Sequence, residues 1–171
     1  MSTGIDGRSS QAWGGTNPDG VHLNVVLAER GSPTAAIMTG TLARPAEGFT
    51  PILVCVGEDQ PSYRTVRPPT IMLNKTTSPT DEHVNLVSGA CQLGIAQGVL
   101  DSVADGLLAE DQDSLVFAAV WLDPAAERGD AVRLATRTAM RAAVREALRG
   151  RADATDLIAA RDELTHPFYV P

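Results

Sequence analysis

Four apolar runs of strand length punctuate this chain: VHLNVVLA (21–28), PILVCVG (51–57), TIMLNKTT (70–77) and SLVFAAVWL (114–122). Runs this short, rich in β-branched residues, suit strands of a partly or fully buried sheet. The intervals between them carry helix signals. Ser32 followed by Pro33 predicts a helix to about Arg44, because serine caps free N–H groups and proline tolerates the first helical position. Pro79-Thr80-Asp81 opens a helical segment to about Ala104, in which Gly89, Gly94 and Gly98 predict close packing or a break. Asp123-Pro124 introduces a last long helix to about Leu148. The order β-α-β-β-α-β-α predicts an α+β fold, a mixed four-stranded sheet with helices packed on one face.

Residues 1–20 are rich in Gly, Ser, Asn and Asp without periodicity, and read as a mobile lead-in; residues 21–171 read as one domain. At 171 residues, 43% hydrophobic, the chain can bury a sizeable core, and 14 basic against 21 acidic residues give a net charge of −7. These values exclude a disordered tail and a generally basic nucleic-acid binder. No run reaches the about 20 apolar residues that span a bilayer, and no hydrophobic leader is visible, so a cytoplasmic protein with no membrane partner is expected. Cys55 and Cys91 lie in apolar segments without metal-ligand spacing, which predicts buried thiols.

Strand alternation places Val21, Leu23 and Val25 on one face and His22, Asn24 and Val26 on the other. In the same way Lys75 and Thr77 share a side. Lys75 is the only lysine among 14 basic residues, a compact titratable ammonium in a chain that otherwise uses arginine. Of the three histidines, His22 has the setting of a catalytic group, on a strand before the loop Glu29-Arg30-Gly31-Ser32. His83 reads as an exposed residue near a helix start, and His166 as a packing residue in the tail. Arg133, Arg137, Arg141, Arg145 and Arg149 recur every fourth residue and form a stripe along the last helix. Either acidic groups neutralise that stripe or it binds an anion or RNA, the latter disfavoured by the acidic chain and the lack of interleaved aromatics. Glycine-rich dinucleotide and phosphate loops, HExxH and GxSxG are absent.

Along residues 20–168 the sequence resembles the formaldehyde-activating enzyme family. The likeness is carried by HLNVVLAERGSP (22–33), GFTPILVCV (48–56), TIMLNKTT (70–77), GACQ (89–92) and THPF (165–168), in that order. The resemblance implies a two-layer α/β fold in a cytoplasmic homopentamer with sites between subunits. It further implies condensation of formaldehyde with the amine nitrogens of tetrahydromethanopterin, giving a methylene bridge and water without a metal or prosthetic group. It makes His22 the proton donor and Leu53, Lys75, Thr77 and Gln92 substrate-binding positions. Asn24 stands where the family carries a pterin-binding aspartate.

The chemistry of those residue types agrees. An amine adds to an aldehyde to give a carbinolamine, whose hydroxyl leaves once protonated, and a histidine can supply that proton near neutral pH. Lys75 could bind a carbonyl or hydroxyl, or form a Schiff base if its pKa were lowered. Gln92 offers donors and an acceptor to a heterocycle edge. The cofactor expectation is none, a tetrahydropterin entering as substrate. Two further readings stand beside this one: a Pictet-Spengler-type cyclising condensation of an aryl amine with an aldehyde, and a non-catalytic pterin or aldehyde binder.

Overall fold

The computed structural model describes residues 4–47, 49–150 and 154–165. Its centre is a five-stranded sheet in the spatial order β1 (Ser9–Gly14), β2 (Val21–Glu29), β7 (Ser114–Leu122), β6 (Thr70–Asn74), β3 (Pro51–Leu53). All neighbours run antiparallel except β6 and β7, which are parallel. The α+β expectation with a mixed sheet therefore holds, with one strand more than the sequence reading. That strand comes from the stretch read as a mobile arm: Ser9–Gly14 pairs with Val21–Val26 along its whole length. The run 51–57 divides into β3 and a two-residue β4 (Cys55–Val56), which pairs with β5 (Arg64–Thr65) in a separate ribbon.

One sheet face is built from the alternate residues Val21, Leu23, Val25 and Leu27 of β2 with Val116, Ala118, Val120 and Leu122 of β7, all buried. The core on this face is completed by α3 (Gln92–Ala104) and α4 (Gly129–Arg149), through Ile95, Val99, Val132, Ala139, Met140 and Val144. Two of the glycines flagged by sequence explain how closely these helices approach. A Cβ on Gly94 would fall 2.6 Å from the Arg133 carbonyl oxygen, and one on Gly98 would fall 2.6 Å from the Met140 Cβ. Gly89 has open space instead and lies in a π-helical stretch, Leu86–Cys91, that links α2 (Asp81–Asn85) to α3. The segment thus shows both close packing and a break.

The other sheet face is only partly covered. The first helix, α1 (Pro33–Leu42), is capped by the Ser32 hydroxyl, which accepts from the Ala35 N–H at 3.0 Å. It packs Ala35 and Met38 over Ala28, Val26, Leu115 and Phe117 at one end of this face. Helices therefore touch both faces, because this end of the sheet carries apolar side chains that water would otherwise wet. The opposite end of the face holds His22, Asn24 and Trp121 and, among the described residues, has no helix over it. No described helix is long and apolar enough to cross a membrane.

The arginine stripe on α4 meets acidic partners on α3. Arg137 makes a two-pronged pair with Asp101 (2.7 Å from Nε and 2.7 Å from a terminal nitrogen), and Arg141 reaches Asp105 at 3.2 Å. Arg145 comes within 3.9 Å of Asp105 and Arg133 donates to the Gln97 carbonyl at 3.0 Å. The hydrogen bonds from Arg137 hold the Asp101 carboxyl below its ordinary range. Of the two readings of the stripe, neutralisation by acidic groups is the one the contacts support.

The hairpin β1–β2 is moored to α4 at two places. A Cβ on Gly14 would fall 2.0 Å from the Ala135 carbonyl oxygen, so only glycine lets the strand lie against the helix. We expect Gly14→Ala to destabilise the fold by about 1–3 kcal/mol, as overpacked cores do, read as a lower denaturant midpoint. The second mooring is Asp19, 4% exposed, whose carboxylate accepts from the Glu127 and Arg128 backbone N–H groups at 3.0 Å each and from Arg128 Nε at 2.7 Å. Those bonds, the Arg128 N–H foremost, pull its pKa down to about 2.

Candidate functional site

The uncovered end of the outer face is organised in rows across the strands. Register pairs Trp13 with His22 and His22 with Trp121; the next row runs Gln11, Asn24, Ala119, Leu73 and Pro51. Antiparallel and parallel partners share a face, so these side chains meet over the same surface.

Lys75 enters from the chain just beyond β6. Its backbone N–H donates to the Val120 carbonyl at 3.0 Å, continuing the pairing with β7 for one more residue. Buried Asn74 shapes the turn that follows: its amide donates to the Thr76 carbonyl at 2.6 Å and its oxygen accepts from the Thr76 N–H at 3.1 Å. From there the lysine stem crosses β7 to reach β2, about 10 Å away at two strand spacings. Ala119, in the row directly below, leaves room for that crossing. The ammonium ends with Nζ donating to Asn24 Oδ1 and lying 2.9 Å from His22 Nδ1.

On the far side of the imidazole, Nε2 lies 2.7 Å from the side-chain oxygen of Gln11. An ammonium has no lone pair, so the Nδ1 that faces it must be the acceptor; Nε2 then carries the proton and donates to Gln11. Trp13 borders the ring, with centroids 6.4 Å apart, and itself packs on Trp121 at 5.9 Å. Partial burial holds the His22 pKa below its ordinary value, and the Lys75 charge pushes it the same way. Partial burial also lowers the pKa of Lys75. The contact geometry is that of a neutral imidazole accepting at Nδ1 from the Lys75 ammonium. The sequence reading assigns the proton to the histidine; here the donor facing its Nδ1 is Lys75 Nζ.

Of the residues singled out by sequence, His22, Asn24 and Lys75 converge. Leu53 belongs to the same face at the sheet edge, in register with Ile71, and is 44% exposed. Thr77 is exposed in the turn after Lys75. Gln92 does not join them in this chain. It starts α3, accepts from the Cys55 N–H at 3.0 Å and donates to the Ser88 carbonyl at 2.5 Å. There it lines a cleft of about 370 Å³ with Cys55, Tyr63, Ser88, Asp130 and Arg133, in the helical layer behind the sheet.

Two histidines fare differently from expectation or fall outside the description. His83 is buried, 1% exposed, not exposed as read: the ring follows the Thr80 cap into the core side of α2, with Nδ1 2.9 Å from the Ser78 hydroxyl and Nε2 3.4 Å from the Leu122 carbonyl. It fastens the turn after Lys75 to the end of β7. His166 and most of the THPF motif lie outside the described residues. Gln11 and Trp13 were missed, being in the supposed arm. The signal was present: Ser9, Gln11 and Trp13 alternate with Ser10, Ala12 and Gly14, and TNPDG, a turn-forming sequence, leads into β2.

Comparison with known proteins follows the same outline. The sequence model described as formaldehyde-activating enzyme matches residues 11–169, beginning at Gln11. A 5,6,7,8-tetrahydromethanopterin hydro-lyase of Methanosarcina barkeri is 31% identical over 156 residues, covering 90% of this chain and 85% of that protein. A bifunctional enzyme Fae/Hps of Methanosarcina acetivorans is 25% identical over 158 residues, 91% of this chain but 39% of its own length. Its counterpart from Archaeoglobus fulgidus is 24% identical over 163 residues, 94% of this chain and 40% of that protein. With a family match across nearly the whole chain and a relative above 30% identity along most of its length, this chain belongs to the formaldehyde-activating enzyme family.

Proposed function

We propose that the protein condenses formaldehyde with a diamine of the tetrahydromethanopterin type, through a carbinolamine and an iminium ion, with His22 as the proton donor. The reading is carried by one observation: Lys75 Nζ lies 2.9 Å from His22 Nδ1 on the uncovered sheet face. The amine lone pair adds to the formaldehyde carbon, and a proton shift gives a neutral carbinolamine. Lys75 passes its proton to Nδ1, and the imidazolium passes it to the hydroxyl as the C–O bond breaks and the nitrogen lone pair forms the C=N bond. Water leaves. The second amine nitrogen then attacks the iminium carbon, and the proton it sheds returns to Lys75. The balance is one formaldehyde and two N–H groups in, one N–CH2–N bridge and one water out.

The same reading places the working site between copies of the chain. Gln92 and its cleft sit behind the sheet while His22 and Lys75 stand in front of it, so one ligand reaches both only if they come from different subunits. A homopentamer is the assembly the resemblance implies, and partners are then the small-molecule amine, the aldehyde and further copies. Incubation with tetrahydromethanopterin and formaldehyde should yield the methylene-bridged product, a gain of one carbon by mass, far faster than the spontaneous reaction; no acceleration would overturn the proposal.

A second reading has its own support. Trp13 is 45% exposed and packs at a 36° tilt on Trp121 beside His22, an apolar aromatic surface suited to an aryl amine, and Asn24 removes the carboxylate implied at that position. A Pictet-Spengler-type closure would use the same iminium with a carbon nucleophile. Under the first reading we expect Asn24→Asp to improve KM for tetrahydromethanopterin; under the second it should leave that substrate unused, and tryptamine-like amines with aldehydes should give cyclised products.

A further inference from the structure

The geometry points to Gln11 as a positioning residue for His22: its side-chain carbonyl holds Nε2–H, so that Nδ1 is the nitrogen through which protons move. This rests on the condensation proposed above and adds to it a residue from β1, a strand whose part in the site no sequence motif marks. The carbonyl of Gln11 lies 2.7 Å from Nε2, and Lys75 Nζ lies 2.9 Å from Nδ1 on the opposite side of the ring. Were the amide turned to offer its NH2, both ring nitrogens would have to accept, which a neutral imidazole cannot do. The lysine thereby dictates the orientation of the glutamine amide, and the two contacts together fix both the tautomer and the plane of the ring.

The arrangement matters most when Nδ1 takes the proton. The ring is then an imidazolium, and the Nε2–H bond to the Gln11 oxygen becomes charge-assisted, stronger than the bond to the neutral ring. Gln11 therefore favours the protonated state that lies between Lys75 and the departing hydroxyl. The elements packed around His22 present Gln11 and Trp13 from β1, Asn24 from β2 itself, Trp121 and Ala119 from β7, and Lys75 from the turn after β6. Lys75 is the charged member of that set, so a change at position 11 reads directly on the ring.

The experiment is nitrogen NMR of His22 in the substrate-free protein, as wild type, Gln11→Leu and Gln11→Glu, each followed by steady-state kinetics with formaldehyde and tetrahydromethanopterin. The wild type should show a protonated Nε2 and an unprotonated Nδ1. Gln11→Leu should lower the His22 titration midpoint, and Gln11→Glu, with a carboxylate at the same atom, should raise it by about one unit or more. The low-pH limb of kcat should move in the same order, with Gln11→Leu losing about tenfold in kcat and little in KM, consistent with one hydrogen bond to a charged group. Equal midpoints in all three proteins, or full kcat in a folded Gln11→Leu, would overturn the inference. Because the NMR needs no substrate, an ordered set of midpoints without methylene product would keep Gln11 in place and instead refute the condensation.

Discussion

His22→Ala is expected to lower kcat/KM for the condensation by about 10²–10⁴-fold, the usual worth of a positioned acid, while leaving the thermal midpoint nearly unchanged. The ring is half-buried on the uncovered face and contributes little to the core, so the loss falls on chemistry. A binding protein that had kept only the scaffold would show the opposite: ligand affinity measured by calorimetry and any acceleration of product formation would both be the same with and without the ring. The pH profile carries a second signature. In the proposed mechanism the active form has a neutral His22 and a protonated Lys75, and both pKa values are lowered from their ordinary 6.5 and 10.5. Activity should therefore rise as His22 loses its proton, below the usual histidine range, and fall as Lys75 loses its proton, below the usual lysine range. The two limbs belong to the coupled pair rather than to either residue alone.

Lys75→Met should cost at least about 10²-fold in kcat/KM, because it removes both the stored proton and the group that Asn24 and His22 face. It should also move the low-pH limb upward, since the Coulombic push on His22 disappears while the desolvation remains. Lys75→Arg separates proton supply from charge. A guanidinium keeps the positive charge and the donors but does not give up its proton in this pH range. We expect it to hold KM within a few-fold while kcat stays low; full kcat with arginine would show that only the charge at position 75 is needed.

How much of this was readable beforehand depends on whether a residue's role is set locally or across the fold. SLVFAAVWL reads as a strand because alternation and β-branching act within the segment, and Ser32 reads as a cap because its partner is three residues away. The shared face of His22 and Asn24 follows from the same local rule. The fifth strand was hidden because six residues of mixed polarity look like a lead-in until a partner strand satisfies their backbone groups. His83 was misjudged because its polarity suggests water, whereas the Ser78 hydroxyl and the Leu122 carbonyl, distant in sequence, make burial tolerable. That Lys75 reaches His22 depends on β7 being inserted between β6 and β2, a matter of strand order that periodicity within each run does not reveal.

The carboxylate at position 19 bears on how the protein should behave in acid. With its pKa near 2, it stays ionised well after His22 has taken up a proton, and the stability it lends is present above the unfolded carboxylate value and lost only as pH falls toward 2. Inactivation on acidification below the usual histidine range should then be a simple titration: the β1–β2 hairpin remains anchored, and returning the sample to neutrality should restore full turnover without any refolding lag.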